Sequence, residues 1–359
     1  MRIVVTMGPA CATLPGLAVL RAAGADDLRL NGSHLDTPGL SLALAVAERA
    51  GFTTDEIILD IQGGKTRLGA VGSVDLRVGD KLVLGCGGLE VDRPAFLSAL
   101  RVGDILRVDD GRIALEVEQI LPGNVGLRAL DEGRVLPRKG LALVGRDSGL
   151  PPELLTQDCE LIACALAHGV RRFAVSYANT PALIACVREK VAALSTSPAG
   201  DASADEAETN HLEVGGRGNP GQRKADASAC ASGPATEIIA KIEHPLAVER
   251  RADLADAADG IWLCRGDLGA EAGLEHLPHL HERVLSDVLG QTSLAVAGQL
   301  LHHLTVSERP TRSEVCHLAD LARRGVDVFV LSDETATGPN GPAAVGWLRR
   351  ILGASISDR

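Results

Sequence analysis

Aromatic residues are scarce in this 359-residue chain: one Tyr, two Trp and four Phe, 2% in all. A surface that stacks single-stranded bases needs several exposed rings, so that class of function is excluded. Cationic charge is also short. The 36 Lys and Arg stand against 47 Asp and Glu, a net charge of −11, the wrong balance for a duplex-binding face. No run of eighteen apolar residues is present, so no membrane-spanning helix is expected. Met1 leads into Arg2 and a short apolar strand, without the apolar stretch of a signal peptide. The eight cysteines include no Cys-x-x-Cys pair and read as reduced, mostly buried small hydrophobes. These absences lead to the expectation of a soluble cytoplasmic protein with neither a nucleic-acid nor a membrane partner.

What is present is a repeat of short β-branched runs, each followed by an Ala/Leu-rich helical stretch. Strands are expected at 2–6, 27–31, 56–60, 171–176, 237–243, 260–264, 293–298 and 326–332, with helices at 15–23, 38–50, 152–168, 181–194, 246–257, 277–289, 313–324 and 342–352. Such alternation implies parallel strands with crossover helices, and eight units match a closed (β/α)8 TIM barrel in the α/β class. An open doubly wound sheet is the rival. Two stretches break the pattern. Residues 69–146 are Gly-rich with short alternating runs and read as a small all-β domain inserted after the third strand. There it would act as a lid over the face where such barrels keep their chemistry. The barrel would then comprise 1–68 and 147–359. Residues 195–235 are rich in Ser, Ala, Gly, Asp and Glu with almost no large apolar side chains, so they are expected to be disordered.

Four strand ends carry the chemistry. In Thr236-Glu-Ile-Ile-Ala-Lys-Ile-Glu243, alternation puts Ile238, Ala240 and Ile242 on one face and Ile239, Lys241 and Glu243 on the other. The apolar face belongs under the helices, which leaves an ammonium and a carboxylate in the barrel mouth. Only 6 of the 36 cations are lysines, so a lysine inside an apolar strand stands out. A plain structural ion pair of Lys241 with Glu243 is the alternative. The run Gly260-Ile-Trp-Leu-Cys-Arg-Gly-Asp267 ends in a glycine turn whose free N–H groups can hold an anion, and Asp267 falls near Glu243. Two oxygen donors without His or Cys suit Mg²⁺. Asp27-Leu-Arg-Leu-Asn31 turns Arg29 and Asn31 inward, which is costly unless an anion meets them. Ile57-Ile-Leu-Asp60 is followed by Lys65 and Arg67. The rim thus gathers Arg29, Lys65, Arg67, Lys241 and Arg265 against Asp60, Glu243 and Asp267, a local cationic cluster suited to a small polyanion.

These segments, in order and over nearly the whole chain, resemble the pyruvate kinase family. The likeness runs through Val4-Val-Thr-Met-Gly-Pro9, Arg29-Leu-Asn-Gly-Ser-His34, Val108-Asp-Asp-Gly111, Lys139-Gly140, Lys241-Ile-Glu243, Arg265-Gly-Asp-Leu-Gly269, Arg309-Pro-Thr-Arg-Ser-Glu314 and Leu331-Ser-Asp-Glu-Thr-Ala336. The resemblance implies phosphoryl transfer from phosphoenolpyruvate to ADP, giving pyruvate and ATP. It implies Mg²⁺, or Mn²⁺ in its place, on Glu243 and Asp267, and Lys241 and Arg29 on the transferred phosphoryl group. The N–H groups of Gly266 and Asp267 would bind the substrate carboxylate, and Asn31, Ser33, His34 and Arg67 would line the nucleotide phosphates.

Departures from the family pattern carry their own expectations. Lys65 stands where potassium-dependent members carry a glutamate, so its ammonium is expected to replace K⁺. Gly298 in Ala297-Gly-Gln299 stands at a substrate-contacting threonine, so proton delivery to the enolate would rest on Ser332 or Glu334 and run slower. Ser176-Tyr-Ala-Asn179 lacks an arginine the family carries. The sequence ends after the eighth helix, so effector control through a C-terminal domain is not expected, and a homodimer through the barrel is the assembly left open. Two other functions fit the same residues: a catalytically impaired relative that binds phosphoenolpyruvate or nucleotide as a regulator, and a Mg²⁺-dependent lyase or aldolase acting through pyruvate enolate.

Overall fold

A computed structural model describes residues 1–69, 72–109, 111–196 and 235–357. Apart from its first two residues and its last, the stretch expected to be disordered, 195–235, lies outside the described residues. Eight parallel strands close into a barrel in chain order: β1 (Arg2–Thr6), β2 (Asp27–Asn31), β3 (Ile57–Ile61), β4 (Arg172–Val175), β5 (Glu237–Ile242), β6 (Gly260–Cys264), β7 (Ser293–Ala297) and β8 (Val328–Leu331). β8 returns to β1 through the register Arg2↔Val328 to Val5↔Leu331, so no edge is left open and the doubly wound alternative is excluded. Among the described residues no helix is long and apolar enough to cross a membrane.

Strand alternation sorts the side chains into two shells. Leu28, Leu30, Leu59, Ile61, Ile238, Ala240 and Ile242 pack outward under the helices. Val4, Ile58, Ala174, Ile239, Trp262, Cys264, Ala295, Ala297 and Val330 fill the barrel interior. At the N-terminal end the interior is closed by ions: Asp27, fully buried, accepts from Arg2 and from Arg172 at 2.6 Å. The helices start and stop at recognisable signals. Asp36 caps Thr37–Arg49 by accepting from the Gly39 N–H at 2.8 Å, and Thr311 forms a capping box with Glu314 that opens Arg312–Arg324. Two helices differ from expectation. The stretch 246–257 is two short helices, Pro245–Glu249 and Arg251–Ala257, broken at Arg250, whose guanidinium turns away to the Asn179 carbonyl at 2.9 Å. The stretch from 152 becomes helical only at Thr156, because Pro151 to Leu155 lead the chain back from the inserted unit.

Between β3 and β4 the chain forms a six-stranded antiparallel sheet in the order Thr66–Arg67, Gly140–Leu143, Ile105–Val108, Ile113–Leu121, Asn124–Ala129, Lys81–Gly85. A two-stranded piece, Val74–Leu76 with Gly133–Val135, accompanies it. This unit has its own apolar core, including Leu84, Leu106, Leu115, Val117 and Leu127, with Phe96 of the short helix Ala95–Ala99 plugged into it. It stands over the C-terminal end of the barrel. A Cβ built on Gly111 would meet Ala270 at 3.1 Å, and one on Gly140 would meet the Lys65 side chain at 2.7 Å.

Candidate active site

The inward file of β5 continues past Ile239 to Lys241 and Glu243, as alternation requires. Lys241 is almost fully buried, inside the barrel rather than beneath the helices. Its ammonium reaches Asp60 Oδ2 on β3 at 2.9 Å, Glu243 Oε1 at 2.9 Å and the Ser176 hydroxyl at 2.7 Å. Ser176 in turn donates to Asp60 Oδ1 at 3.0 Å. Arg29 of β2 donates through Nε to Asp60 Oδ2 at 2.7 Å and through Nη1 to the Thr6 hydroxyl at 3.2 Å. Asp60 therefore holds both inward cations. Burial alone would raise the Asp60 pKa, but Lys241 and Arg29 outweigh it and hold the carboxyl below its ordinary value. Burial opposes the Lys241 charge, yet Asp60 and Glu243 overcome it and raise its pKa, so the ammonium keeps its proton at neutral pH.

A second ion pair stands beside the first. Lys65, in the loop after β3, lies 2.6 Å from Asp267 Oδ1. Asp267 sits in the first turn of helix Arg265–Ala272, which begins directly after β6, so the early N–H groups of that helix point to the mouth. Burial pushes the Asp267 pKa up and Lys65 more than reverses it. Glu243 is pushed the other way, above its ordinary value, by burial and by the nearby Asp267 charge, against the pull of Lys241. The two carboxylates repel each other. A dication between them would relieve that repulsion, and all-oxygen donors are the set a hard cation takes, so the pair fits Mg²⁺ as two protein ligands with the remainder from water and substrate. No group of three or more His, Cys, Asp or Glu among the described residues could hold a metal.

The remaining rim residues lie on two sides. On one, Asn31 caps the turn Gly32–His34 by accepting from the Ser33 N–H at 3.3 Å, and Arg67 donates to the Ser33 hydroxyl at 3.1 Å. Partial desolvation and the surrounding Arg67, Arg29, Lys139 and Arg138 lower the His34 pKa, which marks a concentration of positive charge only partly offset by Asp60 on Arg29 and Asp109 on Lys139. Of these, His34 and Arg138 border an open cleft of about 620 Å³, lined also by Asp36, Thr37, Gln157 and Glu160. On the other side, Gly298 follows β7 with φ +89°, and a Cβ there would stand 3.0 Å from the Gly266 nitrogen. Arg265 locks this turn by donating to the Gly298 carbonyl at 3.0 Å and the Gln299 carbonyl at 3.1 Å. Ser332 follows β8, its N–H donating to the buried Glu334 Oε2 at 2.8 Å. Ser332 and Gly298 follow neighbouring strands of the barrel, but among the described residues no hydrogen bond joins the Ser332 hydroxyl to the Lys241 cluster, and Gly298 has no side chain to offer.

Three residues of the site were not singled out from sequence. Ser176 and Tyr177 follow β4, and the Tyr177 N–H donates to Glu243 Oε2 at 2.8 Å. Glu271, one helical turn after Asp267, accepts from the Tyr177 hydroxyl at 2.7 Å. Its other oxygen is buried without a hydrogen-bond partner, and burial, with the Asp267 and Glu243 charges, pushes its pKa to about 7. Strand parity could have found Ser176, which extends the inward file of Ala174; nothing local marks Glu271.

Similarity to known proteins extends over nearly the whole chain. The family model described as pyruvate kinase, barrel domain, matches residues 1–197 and 225–345. The pyruvate kinase of Methylorubrum extorquens is 32% identical over 371 residues, spanning 98% of this chain and 67% of that protein. The pyruvate kinase of Aeropyrum pernix is 29% identical over 357 residues, 98% of this chain and 70% of that protein. That of Mycobacterium tuberculosis H37Rv is 29% identical over 364 residues, 98% and 69%. With the closed barrel, the inserted sheet and the family model covering most of its length, the chain belongs to the pyruvate kinase family.

Proposed function

We propose that this chain transfers the phosphoryl group of phosphoenolpyruvate to ADP, releasing pyruvate and ATP. The observation that carries the reading is two inward cations, Arg29 and Lys241, both held by Asp60, beside two carboxylates at the same mouth, Glu243 on Lys241 and Asp267 on Lys65. Phosphoryl transfer is catalysed mainly by positioning and charge neutralisation, and this cluster supplies both. Glu243 and Asp267 hold Mg²⁺, which when bound neutralises charge on substrate oxygens. Lys241, kept charged by Asp60 and Glu243, and Arg29, braced by Asp60 and Thr6, neutralise the phosphoryl oxygens in transit. The N–H groups of Gly266 and Asp267 at the helix start bind the substrate carboxylate. Asn31, Ser33, His34 and Arg67, of which His34 borders the open cleft, take the phosphates of ADP.

Two finer features follow from the departures. Lys65, paired with Asp267, carries a fixed positive charge in the loop where potassium-dependent members have a glutamate, so activity does not require K⁺. Gly298 offers no hydroxyl, so protonation of the enolate runs through Ser332 or water and is the slower half of the reaction. A coupled dehydrogenase assay with phosphoenolpyruvate, ADP and Mg²⁺, run with and without K⁺, tests both. Turnover is expected without K⁺ and is lost in Lys241→Met. A rate that rises many-fold with K⁺ would overturn the role of Lys65. Ligand binding without turnover above the Lys241→Met background would make the chain a binding protein, and pyruvate release from an aldol donor without ADP would make it a lyase.

A further inference from the structure

Tyr177 has a backbone that its residue type rarely adopts. Its φ is +49°, in the left-handed region where a bulky side chain is an outlier and where strain persists only if the surroundings demand it. Three contacts make that demand. The Tyr177 N–H donates to Glu243 Oε2 at 2.8 Å, its hydroxyl donates to Glu271 Oε1 at 2.7 Å, and its ring presents its face to Lys65, whose Nζ lies 5.0 Å from the ring centroid. Lys65 Nζ is simultaneously 2.6 Å from Asp267 Oδ1. The other wall of this seat is Gly140 of the inserted sheet, where a Cβ would collide with the Lys65 side chain at 2.7 Å. The Gly63–Gly64 turn that delivers Lys65 is itself pressed against the Ser176–Tyr177 backbone, and the Gly64 N–H donates to the Ser176 carbonyl at 2.9 Å. One residue thus touches three elements: its side chain meets the loop after β3 and the helix after β6, and its backbone N–H meets Glu243 just past β5.

We propose that Tyr177 is a positioning residue: its ring face seats the Lys65 ammonium against Asp267, and its hydroxyl, tied to Glu271, fixes the angle of the ring. A cation over an aromatic face in a desolvated site is held with enough energy to matter against a flexible four-carbon stem. The proposal uses the reading of Lys65 as a fixed charge of the site but not the reaction assigned to that site.

The test reads the lysine directly. The purified chain is labelled briefly with acetic anhydride, and the rate at each of its 6 lysines is followed by mass spectrometry. In wild type, Lys65 and Lys241 are both protected. Tyr177→Asn removes the ring while keeping a residue that tolerates the left-handed backbone, so the N–H bond to Glu243 survives. It is expected to raise labelling at Lys65 about five-fold or more, with Lys241 within two-fold of wild type. Tyr177→Phe keeps the ring but frees it from Glu271, and is expected to raise labelling at Lys65 about two-fold, well short of Tyr177→Asn. The proposal is overturned if Tyr177→Asn leaves Lys65 as protected as in wild type, if Lys241 rises in parallel, which a general loosening would produce, or if Tyr177→Phe exposes Lys65 as much as Tyr177→Asn. Gly140→Ala, which crowds Lys65 from the opposite wall, gives a second route to the same readout and is also expected to raise labelling at Lys65 alone; unchanged labelling there would contradict the two-walled seat. The labelling needs no turnover, so a chain inactive on phosphoenolpyruvate would still answer it.

Discussion

Asp60 is the single anion shared by the two inward cations, so Asp60→Asn is the sharpest perturbation of the site's electrostatics. The change is nearly isosteric. It takes the negative charge from both cations, leaving Arg29 with the Thr6 hydroxyl and a neutral amide oxygen, and Lys241 with Glu243 and the Ser176 hydroxyl. All of these groups lie at or near full burial, so the lost charge is not replaced by water. Removing one partner from a buried ion pair costs ~3–5 kcal/mol, because the charge left behind stays desolvated. Lys241 retains one carboxylate, which places the expected loss near the lower figure, about 3 kcal/mol. With a urea slope of ~3 kcal/mol/M, the unfolding midpoint followed by circular dichroism falls by ~1 M at pH 7. Adding Lys241→Met removes the stranded ammonium, so the double variant is expected to be more stable than the sum of the two single losses predicts by ~1–3 kcal/mol. A loss under ~1 kcal/mol in the single variant, or strict additivity in the double, would refute the view that Asp60 is there to hold these cations.

Two further tests address the frame around the site. His281, packed against His317 with its Nε2 buried and unpartnered, has its pKa lowered to about 4 by burial first and then by Arg265, His317 and Arg324. The unfolded chain therefore binds this proton more readily, and stability falls as pH drops from the ordinary histidine value near 6.5 toward 4. Between pH 7 and 4, His281→Leu is expected to lose about 3 kcal/mol less than wild type in urea titrations; parallel curves would refute it. Gly64→Ala would put a Cβ 2.5 Å from the Tyr177 carbonyl oxygen, so the loop carrying Lys65 must move. A loss of ~1–3 kcal/mol is expected by thermal denaturation, together with impaired turnover in the coupled assay, and a variant indistinguishable from wild type would contradict the tight crossing.

The barrel was legible in the sequence because its signal is periodic and repeated. In β5 the alternation that sends Ile238, Ala240 and Ile242 outward also sends Lys241 and Glu243 inward, and both consequences hold in the structure. Arg29 on β2 and Asp60 on β3 follow the same parity. What was not legible depends on contacts between distant segments. Nothing local in Asp60-Ile-Gln-Gly-Gly-Lys65 states that the ammonium will meet Asp267, and nothing in Leu268-Gly-Ala-Glu271 states that a tyrosine hydroxyl will reach it. The composition of 246–257 is helical throughout and implies one helix, whereas the structure breaks it at Arg250, whose guanidinium reaches a carbonyl on the loop after β4.

The seat of Lys65 has a consequence for the order in which the molecule is made. The antiparallel sheet draws every strand from the contiguous stretch between Thr66 and Leu143, so its partners leave the ribosome close together. The barrel cannot seal until β8 arrives to meet β1, almost a full chain length later. Lys65 waits on three successive arrivals, Gly140, then Tyr177, then Asp267, before its charge has a counterpart. Pairings between segments so far apart form slowly, since the chain must be drawn together before contact rewards it. A growing polypeptide of this protein thus has every strand of its small sheet in hand long before β8 arrives to seal the barrel around the reactive centre.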